Sequence, residues 1–231
     1  MNFKWLGPLA LLGALVIGDQ IRINRPDHKY RLTLQVETPD GIRSASGVMA
    51  VVPDRGYSRR GHTDTRGDAL FVDLGGGSNL LALLVHRDGS LDLDGMNYLA
   101  LRAYGEALGK RVSFNAMSSM TGLVPVKGAL IPVLATFGDL ADPATMRVVA
   151  PDDLEAALGA GFRLHGVTAE VVPNGFWPID FGGVLGEPVT RGIEAKLPWL
   201  KGADASAAVA LRAADLKSAE PIDAREAFTR E

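Results

Sequence analysis

Six consecutive apolar residues, Leu80-Leu81-Ala82-Leu83-Leu84-Val85, limit the fold of this chain more than any other stretch. A run of this length reads as a strand. With no polar residue at alternate positions it has no side to turn toward water, so it predicts a central strand covered on both faces. Asp68 to Leu74 lies before it, across Gly75-Gly76-Gly77-Ser78-Asn79. The glycine triplet leads into a strand rather than a helix, and no Lys-Ser/Thr pair follows. It therefore reads as a hairpin turn and not as a phosphate cradle.

A second hairpin is written more plainly. Tyr30 to Glu37 alternates apolar and polar residues, the pattern of a strand with one buried face. Pro39-Asp40-Gly41 turns the chain, because Pro presets φ and Gly accepts a positive φ, and Ile42 to Val52 returns as the partner. Tyr30, Leu32, Leu34 and Val36 should face the core together. Further on, Asn97 to Leu108 predicts a helix stopped at Gly109, and Leu130 to Phe137 a buried strand. Asp142-Pro143 predicts a cap with a first-turn proline, and Pro151 to Gly159 a short helix. Phe162 to Val172 reads as a strand, and Thr190 to Leu197 as a helix closed by Pro198. Strands and helices do not alternate strictly, which predicts an α+β fold with a largely antiparallel sheet and a few short helices. Residues 29–200 form the single domain in this reading. Residues 201–231, rich in Ala and charge, read as a mobile tail with too few large apolar side chains to bury.

Residues 1–28 read as a signal or anchor segment with its linker. The fourteen residues from Trp5 to Gly18 carry no charge and follow Lys4. A positive start and an apolar run are how a chain is handed to a membrane. As a helix the run spans about 21 Å at ~1.5 Å per residue, short of the roughly 30 Å hydrocarbon core. It suits a signal-peptide core, or an anchor lengthened through Asp19 to Ile23. Lys4 flanks one side, and Arg22, Arg25, Lys29 and Arg31 the other, so charge does not fix an orientation. Either inner-membrane anchoring or export to the periplasm follows.

Composition narrows the classes of function. At 231 residues, with 47% hydrophobic and 22% charged, the chain suffices for one full core. A net charge of −3 argues against nucleic acid as the main partner. The absence of cysteine excludes disulfides, thiolate metal sites and a Cys nucleophile. No cofactor or metal motif is present.

Three surfaces carry candidate chemistry. His62, Asp64 and Asp68 place an imidazole and two carboxylates within seven residues, a set suited to acid–base work in a hydrolase. The same Gly- and Ser-rich stretch holds Arg55, Arg59, Arg60 and Arg66, guanidiniums that can hold phosphates such as anionic lipid headgroups. Phe176, Trp177 and Phe181, set among glycines and prolines, suit a protruding binding loop. No Gly-x-Ser-x-Gly elbow announces a serine nucleophile.

The stretches Tyr30 to Ser44, Gly67 to Gly75, Leu134 to Phe137 through Asp142-Pro143, and Pro188 to Leu200 together resemble a family of uncharacterised proteobacterial membrane-anchored or exported proteins. The resemblance implies no activity, and the aromatic stretch from Gly175 to Gly183 departs from the pattern as an insertion. These readings converge on a membrane-tethered or exported envelope domain that works by binding or assembly, its partner an anionic lipid surface or an envelope protein. A hydrolase built around His62 is the alternative.

Overall fold

The structure, a computed structural model, describes residues 6–53, 63–175, 186–202, 205–219 and 223–231. It opens with α1 (Leu6–Asn24), then runs through β1 (His28–Thr38), β2 (Gly41–Pro53), β3 (Thr63–Asp68), β4 (Leu70–Gly75) and β5 (Ser78–Ala82). The small pair β6 (His86–Asp88) and β7 (Ser90–Asp92) precedes α2 (Gly95–Leu108) and α3 (Phe114–Met117). Then come β8 (Leu123–Pro125), β9 (Leu134–Phe137), β10 (Met146–Val149), α4 (Leu154–Leu158) and β11 (Arg163–Val172). The chain closes with α5 (Ala205–Ala213) and β12 (Thr229–Arg230). Six strands form one sheet in the order β12-β3-β2-β1-β11-β8, and four form a second in the order β10-β9-β5-β4. Every pairing among the described residues is antiparallel. The fold is α+β, as the sequence predicts.

The apolar hexapeptide explains why the molecule has two cores. Leu80, Ala82 and Leu84 point into one, which also takes Tyr30, Leu32, Leu34 and Val36 from β1 and Met96, Leu99 and Ala103 from α2. Leu81, Leu83 and Val85 point the other way, into a second core completed by Ile193, Leu197, Leu200, Leu211 and Phe228. Side chains alternate between faces along β5; the strand ends at Ala82, short of the predicted Val85, but Leu83 to Val85 keep the alternation, so a run apolar at every position demands both cores.

Local signals place the remaining elements. The β1–β2 hairpin pairs Thr38 with Gly41 across Pro39-Asp40, and Gly41 takes φ +114°. Helix α2 ends at Gly109, whose left-handed φ of 63° lets its N–H bond back to Glu106 O. Asp142 and Asp153 cap the turns that follow them by accepting from Ala144 N and Ala156 N. Where a helix is predicted from Thr190 to Leu197, only 3-10 turns form, at Ile193–Ala195 and Pro198–Lys201. Gly192, at φ +111°, breaks the helical path before Ile193, and Pro198 bars its continuation past Leu197.

The main correction concerns residues 201–231, whose described part packs on the domain where a mobile tail is predicted. Ala207, Ala210, Leu211 and Ala214 are buried on one side of α5, and Ala224, Ala227 and Phe228 are buried after it. Positions 207, 210, 211 and 214 share a helical face, and small side chains let that helix approach the sheet closely. Phe228 stacks edge-on against Trp199 at 5.2 Å. The packed unit therefore runs to the end of the described chain, not to Leu200.

Two outcomes follow. Leu34→Ala removes a fully buried side chain and should cost about 2–5 kcal/mol in chemical denaturation. Cutting after Leu200 strips one face of the four-stranded sheet. It should lower Tm by more than about 10 °C or abolish the cooperative transition in calorimetry.

Candidate functional site

Of the polar residues predicted to carry chemistry, Asp64, Arg66 and Asp68 lie on β3, which sits between β2 and β12. Thr65 is buried and its hydroxyl donates to Asn97 Oδ1 at 2.7 Å. Asn97 in turn donates to Thr63 O at 2.6 Å, which ties the start of α2 to β3. Asp68, 3% exposed, accepts from Ile193 N at 2.9 Å, from Thr229 Oγ1 at 2.7 Å and from Arg191 Nη1 at 3.4 Å. Its carboxylate clasps two late segments of the chain to an early strand. Gly67 beside it has φ +151°, and a Cβ there would press on Met49 Sδ. Only glycine fits where β12 comes alongside.

Arg230 is the other half of this clasp and is 4% exposed. Its guanidinium donates to Leu84 O, to Leu93 O at 3.0 Å and to Glu226 O at 3.0 Å, and stands 3.8 Å from Asp64 Oδ1. Burial lowers its pKa, while Asp64 and the neighbouring acids push it back up. A guanidinium stays charged through such a shift. Arg191 also donates to Arg230 O at 2.6 Å, and Arg225 pairs with Glu194. Two clefts, of about 310 and 390 Å³, flank β12 and share Thr229 and Glu231 in their walls. Their charged walls are largely spent on one another and on the backbone.

Two of the described histidines are buried in the fold. His28 is buried beside Tyr30 and Phe114, and its Nδ1 meets Asp27 at 3.0 Å. His86 is buried with Nε2 at 2.8 Å from Leu130 O, so Nε2 carries the proton and donates it. Among the described residues, Nε2 of His28 and Nδ1 of His86 have no hydrogen-bond partner. Burial lowers both pKa values from the ordinary 6.5, against the opposing pull of Asp27 on His28 and of the Leu130 carbonyl and Asp92 on His86. His165 lies on the sheet's outer side, 3.0 Å from Glu37. Among the described residues no group of three or more metal-binding side chains converges.

The candidate sites resolve unevenly. Asp64 is exposed, and its Oδ1 accepts from its neighbour's backbone, Thr65 N, at 2.8 Å. Asp68 is consumed by the clasp, which removes it as a free acid–base partner. Arg66 sits half-buried on β3 opposite Ala50. His62, Arg55, Arg59 and Arg60 lie outside the described residues, as do Phe176, Trp177 and Phe181. The residues flanking the aromatic stretch are described: a Cβ on Gly186 would run into the backbone of Gly175, so the two ends of that stretch touch. Asn97, Arg191, Thr229 and Arg230 were missed, since nothing in their local sequence marks a buried polar role. No protein-family model, curated protein or solved structure matches the chain.

Arg230→Met should lower stability by about 1–3 kcal/mol for each buried carbonyl left without a donor, read as a shift in the urea midpoint. The histidines give a pH dependence with a defined sign. Both are depressed in the folded state, so the unfolded chain binds more protons below pH 6.5. Stability is then full above that pH and falls as pH drops below it, until the folded-state values are reached. Tm should decrease from pH 7.5 to 5.5, and His86→Gln should flatten that slope.

Proposed function

We propose that this protein is a membrane-associated or exported envelope domain that works by binding or assembly, with α1 as its membrane-seeking segment. The observation that carries the reading is the state of α1. Leu9, Leu11, Leu12, Leu15, Val16 and Ile17 each expose more than half of their surface. They lie on all sides of the helix, and neither core contains an α1 residue. A helix apolar all round is one that belongs inside something, either a bilayer or another protein. No helix among the described residues is long and apolar enough to cross a membrane. The proposed role of α1 is therefore that of a short signal-type or boundary segment, its apolar residues from Leu6 to Gly18 in lipid and Asp19 onward at the headgroups. Binding rather than turnover is supported by the clasp, where Asp68 and Arg230 serve the fold.

Fractionation of the full chain tests this. It should sediment with membranes, or appear trimmed near Asp19 outside the cytoplasm. Leu12→Arg combined with Leu15→Arg should move intact protein to the soluble fraction, since each charge in hydrocarbon costs about 2.5–3.5 kcal/mol. Recovery of the unaltered chain, intact and soluble, would overturn the proposal.

A further inference from the structure

Among the described residues, the first half of strand β2 has an open edge. β1 and β2 pair without a register break from Thr38 and Gly41 to His28 and Val51. Along an antiparallel strand, alternate residues turn both backbone groups to opposite neighbours. Val48 turns away from β1: its N–H donates to Thr190 Oγ1 at 2.8 Å and its C=O accepts from Thr190 N at 2.9 Å. Ile42, Ser44 and Ser46 have the same parity, so their N–H and C=O groups also point away from β1. β3 joins that edge only from Ala50 onward. Among the described residues, no other segment bonds to the backbone of Ile42, Ser44 or Ser46, and all three residues are exposed.

Natural edges of this kind are blunted by charged side chains, Pro or a bulge; the stretch from Gly41 to Gly47 has no Pro and no bulge, and its one charge, Arg43, shares a face with Ala45 and Gly47 rather than with Ser44. The window is bounded by the Pro39-Asp40 turn at one end and by Thr190 on Val48 at the other. Its midpoint is Ser44, a residue facing outward.

We propose that two copies of this chain pair antiparallel through this window, about a two-fold axis at Ser44. The axis sets Ser44 opposite Ser44 of the second copy, Ile42 opposite Ser46, Arg43 opposite Ala45, and Gly41 opposite Gly47. Each outward-facing pair exchanges two main-chain hydrogen bonds, and no like charges stand directly opposite. The six-stranded sheet thereby continues into its copy. The Ser44 hydroxyls meet on the outer face, as Thr33 and Ser46 already do at 2.8 Å across β1 and β2. A contact this short falls below the roughly 800 Å² per partner of a standard interface. It forms where copies are concentrated, as on a shared membrane. The pairing deepens the assembly reading and rests on tethering for its strength alone.

The chain has no cysteine, so introduced thiols report the register without background. Full-length Ser44→Cys, oxidised in isolated membranes, should give a covalent dimer. Ser46→Cys or Ile42→Cys alone should not, while a mixture of those two variants should. Ser44→Pro removes an N–H that β1 does not use. Added to the Ile42→Cys and Ser46→Cys chains, it should cut their mixed cross-link by roughly tenfold while leaving Tm near that of the parent. If the proline variant fails to fold, the cysteine register decides by itself. Equal cross-linking at positions 44 and 46 alone, or none at 44, overturns the pairing. Should fractionation place the chain in the soluble phase, the anchor fails by itself, and the same cross-links are read on concentrated purified protein.

Discussion

Two-sided burial of the Leu80–Val85 segment is the constraint from which the architecture follows. A strand with one wet face could be satisfied by a single sheet and a helix. This segment forces a core on each face, and each core is closed by elements distant in the chain. The six-stranded sheet and α2 cover one side. The other side is covered by residues after Gly192, including a helix lined with alanines and an edge-on pair of aromatic rings. Hydrophobic burial, roughly 25 cal/mol per Å² of apolar surface, holds both layers.

Polar groups then decide which late segment goes where. Asp68 and Arg230 are costly to bury alone, and both are answered by several partners at once. A carboxylate that receives a backbone N–H, a hydroxyl and a guanidinium fixes the path of residues 191–193 and the position of β12 together. Apolar packing alone would tolerate a shift of that strand, whereas this set of hydrogen bonds does not. The same completeness leaves the clasp little to offer a substrate. It also shifts attention to what the fold leaves open: the apolar helix α1 and the free half of β2.

How much of this was legible depended on side-chain size and sequence distance. The β1–β2 hairpin was readable because Tyr30, Leu32, Leu34 and Val36 alternate with polar residues across a turn of known chemistry. Gly109 and Asp142 announced their caps, whereas the helix read from Pro151 begins at Leu154 with Asp153 as its cap. The docking of α5 was hidden because its buried face is Ala207, Ala210 and Ala214, and alanine marks a helix without marking a core. Arg230 was hidden more deeply still. A charged residue near the end of a polar stretch reads as solvated, and its burial is set by carbonyls of Leu84 and Leu93 that local pattern cannot place. For the candidate site, Asp68 was read as an acid–base candidate, and its carboxylate is committed to holding the chain.

The clasp also shapes how the molecule folds. The hydroxyl of Thr229 and the carboxylate it meets on Asp68 are separated by 161 residues of chain, and β12 has no place in the sheet until β3 is there to receive it. Contacts so distant in sequence pay their loop-closure entropy before returning any stability, and topologies rich in them fold slowly. Until the residues after Gly192 dock, the outer side of the four-stranded sheet is uncovered. That interval is when the chain is most exposed to association with its neighbours.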